Sequence, residues 1–397
     1  VEDLTTVIGP RQAATEAEAA ARSWAVRRLG EMGFQNVREE KFTMPTWVRG
    51  EEQASLIGPF HPQKLAIAAL GNSASTGPRG IEGEIVYFDS FDALQAAPDA
   101  SVKGKIVFID HKMAPTQDGS GYGTYGRGRF TGPNVAAKKG ALAIVIRSIG
   151  TDSHRNPHTG MTNFEPGVRP IPAGALSNPD ADQLVRQWQR AQTMRLARGT
   201  GAGPAALRMK LLLTPRNLGE QTSGNVIAEV PGSDPAASPI ILACHLDSWD
   251  LGTGAIDDAA GCGIITAAAK YVMMTGQPRR TIRILWAGAE EVGVFGGKAY
   301  FAAHGKEKHA AALESDFGAD RVWRIDFRLP DTAKTLADRM ATAVAPFGVV
   351  RGKQPAGGGA DIGALVAAGV PTIDLAQDGT RYFDVHHTPD DTLDKVD

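Results

Sequence analysis

Between residues 14 and 32, Ala, Trp and Leu recur at helical spacing, and Gly33-Phe34 then closes the run, which predicts one amphipathic helix near the start of the chain. From about residue 42 to 213 the period shortens. The runs 83–88 and 105–110 are apolar or alternating over strand length, a helix follows at 134–140, and 142–146 reads as another strand. This stretch is expected to form a small β-rich domain of its own. Beyond Asn217 strands at 225–230, 239–243, 281–287, 311–315 and 371–375 are separated by helical stretches, one of them spanning 258–274. Strands alternating with helices require an α/β sheet with crossover connections. The expected fold class is α/β, built from residues 1–41 and 216–397, with residues 42–215 inserted.

Composition narrows the partners. The 397 residues carry 42 Lys+Arg against 44 Asp+Glu, a net charge of -2, so nothing in the bulk electrostatics draws the chain to nucleic acid or an anionic membrane. No apolar run approaches the roughly 18 residues that a membrane helix needs. A small molecule is the expected partner, and a homodimer is compatible with the composition. Cys244 and Cys262 sit in apolar stretches and are expected to be separate, reduced and buried. The start at Val1, without Met, suits a mature form after signal removal as well as a trimmed chain. Gly121-Tyr-Gly123-Thr-Tyr-Gly126 spells a dinucleotide fingerprint, but no strand leads straight into it, so a surface loop is expected there.

The chemistry lies elsewhere. His245 and Asp247 follow the apolar strand 239–243, where side chains project into the crevice of an open α/β sheet, and two-residue spacing puts both on one face. His245 reads as a metal ligand, and Asp247 as the acceptor for its other ring nitrogen. In Asp257-Asp258, before the helix, Asp258 suits the N-cap and leaves Asp257 to bridge metals. Glu290-Glu291 ends the next strand. Two adjacent acids there repel unless a cation compensates, so one binds metal and the other acts as base. Glu314-Ser315-Asp316 and His386-His387-Thr388 complete the set. His245, Asp257, Glu291, Asp316 and His387 are N/O ligands suited to zinc, and two zinc ions balance three carboxylates and one hydroxide.

The stretch from His245 to Asp258, the Ala289-Glu290-Glu291 step, Glu314-Ser-Asp316 and His386-His387-Thr388 resemble the dizinc aminopeptidase and glutamate-carboxypeptidase family. The likeness extends to Ile8-Gly-Pro-Arg11, Trp47-x-Arg-Gly-Glu-Glu52 and Asn156-Pro-His-Thr-Gly160. It implies a mixed-sheet sandwich with helices on both faces and a protease-associated domain as the insert. It also implies two zinc ions, one bound by His245 and Asp316, the other by Glu291 and His387, with Asp257 bridging and Glu290 as the base, supported by Asp247. His386, where related enzymes have Tyr, would donate to the oxyanion, with Asp391 or Thr388 supporting His387. Asp250, Asp258 and Glu314 are candidates to receive a substrate amine. The Gly-rich segments 252–254 and 357–359 would border the metal crevice. The implied activity is exopeptidase cleavage of short peptides, in a secreted or periplasmic protein. An N-acyl amino acid deacylase and a catalytically silent receptor on the same scaffold stay open. Gly261-Cys262 and Gly357-Gly-Gly-Ala360 depart from the family pattern. The chain stops at Asp397, where such proteins usually add a closing helix.

Overall fold

Along Val226–Val230 the even positions Val226, Ala228 and Val230 enter one core and Ile227 enters another; Cys244 with Leu246 and Ile241 with Ala243 divide in the same way, as do Ile284 with Trp286 and Leu285 with Ala287. Strands buried on both faces read as continuous apolar runs, which is why the sequence pattern here is unbroken. The computed structural model, which describes residues 1–197 and 206–396, arranges these strands in an eight-stranded mixed sheet. Its order is Gln35–Val48, Arg216–Val230, Ile282–Ala287, Ile240–His245, Ala311–Glu314, Thr372–Gln377, Val322–Arg328, Val350–Arg351. Helices Glu16–Glu31 and Ala260–Thr275 pack on one face through Ala21, Ala25, Leu29, Ile265 and Ala269. Helices Phe295–His304 and Gly363–Ala367 cover the other through Tyr300 and Leu365.

The three strands Ile282–Ala287, Ile240–His245 and Ala311–Glu314 run parallel, with His245 level with Ala287 and Ala243 level with Glu314. Their C-terminal ends therefore leave the sheet along one edge, the place where open α/β sheets bind ligands.

The chain divides into two compact units. The first comprises Val1–Thr46, Gly219–Tyr382 and Asp391–Asp397; the second comprises Trp47–Leu218 and Phe383–Asp390. The divisions fall a few residues beyond 41 and 215: the long strand Gln35–Val48 runs past the first position, the first residues of Arg216–Val230 stay with the second unit, and the short segment 383–390 joins it. That unit holds its own eight-stranded sheet, with a parallel run of Ile81–Phe88, Ile106–Ile109, Ala143–Arg147 and Ala173–Leu176. It also carries helices, among them Gly121–Phe130, Gly132–Lys138 and Asn178–Ala197.

Two expectations are corrected. The glycine-rich stretch 121–126 is helical, inside Gly121–Phe130, not a loop. Glycine lets that helix lie close to its neighbours, since a Cβ at Gly128 would stand 2.7 Å from the His111 ring. Tyr122 and Tyr125 stack on Phe383 and His111. Cys244 and Cys262 form a disulfide. The helix Ala260–Thr275 packs back on the strand that precedes it, bringing the two Cα atoms to 5.2 Å, within bridging range.

Candidate metal centre

His245 ends its strand almost fully buried, and its ring is oriented from behind. Nδ1 lies 3.0 Å from the main-chain oxygen of Asp247, so it carries the proton and donates, leaving the Nε2 lone pair to face forward. Nε2 is 3.0 Å from Asp257 Oδ1 and 3.4 Å from Asp316 Oδ1. Ligand atoms of these three residues all lie within 4.8 Å of one another. The imidazole–carboxylate bond expected from Asp247 is not made, because its Oδ1 stands 3.7 Å from Nδ1. The Asp247 carboxylate instead accepts the Glu290 N–H on one oxygen (3.0 Å) and the Glu291 N–H on the other (3.3 Å). It fixes the turn that presents both glutamates.

Asp258 accepts the Gly261 N–H, three residues ahead at the start of the helix, and the His245 N–H on its other oxygen. Glu314 accepts the N–H groups of Asp361 and Ile362. Both carboxylates are thus engaged by backbone donors.

The electrostatics call for a cation. Desolvation pushes Asp247, Asp258 and Glu290 above the usual carboxylate range, and neighbouring acids push Asp258 and Glu290 further. Glu314 is raised to about 7 by burial and by Asp316. For His245 burial opposes the imidazolium, yet Asp316, Asp257 and Asp258 outweigh it and raise the ring well above its ordinary value. Buried carboxylates facing one imidazole are tolerable where a metal ion completes the charge. An N/O donor set of this kind fits zinc.

Sequence reasoning missed two residues here. Asp361 is 1% exposed, and neither of its carboxylate oxygens has a hydrogen-bond partner among the described residues. Burial and then Glu314 hold its pKa well above the ordinary value. Tyr382, tilted against Phe317 with ring centroids 4.7 Å apart, has its phenol raised by burial and by Asp257, Asp316 and Glu291. A Gly-rich run before an Asp, and an aromatic shortly before the paired histidines, were the only signals.

His386 and His387 belong to the second unit. Their rings stack 3.6 Å apart, and Tyr122 and Phe383 meet His386 edge-on. His387 sits at φ +61°. Its carbonyl accepts the Thr159 N–H, and its Nδ1 lies 3.2 Å from the Thr159 carbonyl. The support expected from Thr388 or Asp391 comes instead from Thr159. Thr388 Oγ1 donates to the Val385 carbonyl, while Asp391 accepts the Ala255 and Ile256 N–H groups.

Beside His387, within the same unit, lies Arg129. It is 3% exposed, yet it faces no carboxylate among the described residues. Nη1 donates to the Thr159 carbonyl and stands 3.5 Å from His387 Nδ1, and Nε has no partner. The rings of Tyr122 and Phe130 flank the guanidinium at 5.2 and 4.4 Å. Gly160 makes the space, since a Cβ there would fall on Arg129.

Comparison with known proteins agrees with this geometry. The sequence profile of Peptidase family M28 matches residues 225–397. Carboxypeptidase Q of Bos taurus is 32% identical over 99% of this chain and 79% of its own length. Among solved structures, a peptidase M28 precursor from Shewanella amazonensis SB2B is 46% identical, with all of this chain and 87% of that one aligned at a TM-score of 0.92. BSAP, a zinc aminopeptidase from Bacillus subtilis, shares the fold at a TM-score of 0.65, with 19% identity over all of this chain and 88% of its own.

Proposed function

The chain belongs to peptidase family M28, and from that premise we propose that it is a dizinc exopeptidase acting on short peptides. The observation that carries this reading is the cluster of buried His245 and Asp257 with half-buried Asp316 at the C-terminal edge of the parallel strands. In this reading His245 and Asp316 would hold one zinc, Glu291 and His387 the other, with Asp257 shared by both. Bound zinc supplies a Lewis acid for the scissile carbonyl and lowers the pKa of a water toward neutrality. Glu290, placed by Asp247, takes the proton of the attacking water and delivers it to the leaving amine. His386, or the phenol of Tyr382, donates to the developing oxyanion.

Arg129 points to the substrate. A guanidinium buried without a counter-ion is costly, and a ligand carboxylate offsets that cost through paired, charge-assisted hydrogen bonds. A free peptide C-terminus is such a ligand, which favours dipeptides and other short chains with a free carboxylate. We read the second unit, which carries Arg129, as a protease-associated domain. The buried disulfide suits an oxidising compartment, hence a secreted or periplasmic protein. No helix among the described residues is long and apolar enough to cross a membrane.

The test is a panel of one dipeptide as free acid, C-terminal amide and N-acetyl derivative. Amidation is expected to raise KM about tenfold or more, and Arg129→Met to erase the difference between acid and amide. N-acetylation is expected to lower kcat/KM about tenfold or more. Equal rates for the free and acetylated forms would move the deacylase reading to the front, and no hydrolysis of any member would favour the silent receptor.

A further inference from the structure

The motif Ile8-Gly9-Pro10-Arg11 has no part in the chemistry above, yet Arg11 is 0% exposed. Its guanidinium meets main-chain carbonyls: Nε donates to Leu246 (2.8 Å), Nη1 to Thr253 (2.6 Å) and Gly9 (3.1 Å), and Nη2 to Gly254 (2.9 Å). The main chain locks the contact, because the Arg11 N–H donates to Ser248 Oγ and the Ser248 N–H donates to the Arg11 carbonyl. The charge is balanced at a distance by Asp391, Asp247, Asp258 and Asp257.

The opposite side of the same turn is held by an anion. Asp391 Oδ1 accepts the N–H groups of Ala255 and Ile256, each at 2.8 Å, and the Asp391 carbonyl accepts the Thr253 N–H. Residues 253–256 are therefore gripped at their carbonyls by a cation and at their amides by a carboxylate, one residue before Asp257. The grip closes because position 254 is glycine. At φ +60° a Cβ there would stand 2.4 Å from Ser248 Cβ and 2.7 Å from Arg11 Nη2.

We propose that Arg11 and Asp391 are positioning residues that preset Asp257 for metal binding, with Arg11 also supplying the internal positive charge that makes the acid cluster foldable before metal enters. The proposal rests on reading Asp257 as a ligand.

Zinc affinity of the metal-free protein, measured by competition with a chromophoric chelator and paired with the urea midpoint, tests it. Arg11→Gln and Asp391→Ala are expected to weaken zinc binding about 10- to 100-fold. Arg11→Lys keeps the charge and is expected to recover a large part of the loss. Leu29→Ala, a core truncation on helix Glu16–Glu31, is expected to lower the urea midpoint with wild-type zinc affinity. Wild-type zinc affinity in both Arg11→Gln and Asp391→Ala would overturn the clamp. If Arg11→Gln fails to fold, Asp391→Ala decides the matter: wild-type zinc affinity in that variant would overturn the clamp. In Asp257→Ala, wild-type zinc affinity would overturn the ligand assignment itself, whereas zinc loss there without loss in the clamp variants would overturn the clamp alone.

Discussion

Truncating Asp247 to Ala removes one carboxylate but strands two backbone donors. The side chain is 0% exposed, and its oxygens receive the Glu290 N–H at 3.0 Å and the Glu291 N–H at 3.3 Å. A buried donor left without its acceptor costs about 1–3 kcal/mol, so the pair amounts to about 2–6 kcal/mol. The far end of the turn stays fixed, because the Gly293 and Val294 N–H groups bond the Glu290 carbonyl and the Phe295 N–H bonds the Ala289 carbonyl. Relief must therefore come from movement at the two glutamates. A displacement of about 1 Å at a catalytic group costs on the order of 10² in rate. Asp247→Ala is expected to lose about 2–4 kcal/mol of stability to urea, with kcat lowered about 10²-fold. Asp247→Asn, which keeps one acceptor oxygen, should fall between it and wild type. The main-chain oxygen that orients His245 survives in both variants. Urea titration and steady-state kinetics on one dipeptide make the measurement. A folded Asp247→Ala protein with kcat within threefold of wild type would refute the reasoning.

Glu290→Gln is expected to keep its zinc while kcat falls about 10²-fold or more, read by elemental analysis and kinetics; loss of zinc would exchange the roles of Glu290 and Glu291. Replacing both cysteines by Ala is expected to cost about 3 kcal/mol, the chain-entropy value for a separation of 18 residues. Thiol titration of the denatured, unreduced wild type should find no free thiol, and two would contradict the bridge. Burial pushes His111 down to about 4 from 6.5, and its Nε2 has no partner among the described residues. The unfolded chain therefore takes up a proton first, and stability falls as pH drops from 6.5 toward 4, by about 2 kcal/mol between pH 7 and 5. His111→Phe should flatten that limb in urea titrations, and an unchanged slope would remove His111 as its cause.

The parallel strands of the first unit were legible because both of their faces are buried, leaving apolar runs bounded by His245, Glu290 and Glu314 at their ends. The strand Gln35–Val48 was hidden, since its first half carries Arg, Glu and Lys at exposed or half-exposed positions and shows no apolar period. The helix at Gly121–Phe130 was misread for the opposite reason: one of its glycines, Gly128, serves packing against His111, which no local signal announces. At the candidate site the residue types and spacings of the ligands could be read along the chain. Their supports could not. Arg11 lies 235 residues before the Leu246 carbonyl that it holds, and Arg129 lies 258 before His387. A backbone carbonyl such as that of Thr159 leaves no mark in a sequence.

The central claim is that zinc held by this cluster carries the hydrolysis. Titrating metal-free protein with zinc while following cleavage of a free dipeptide tests it directly. The account predicts that activity is absent without metal and rises to a plateau at about two zinc ions per chain. Full activity in the metal-free protein, or none at saturating zinc, would contradict it.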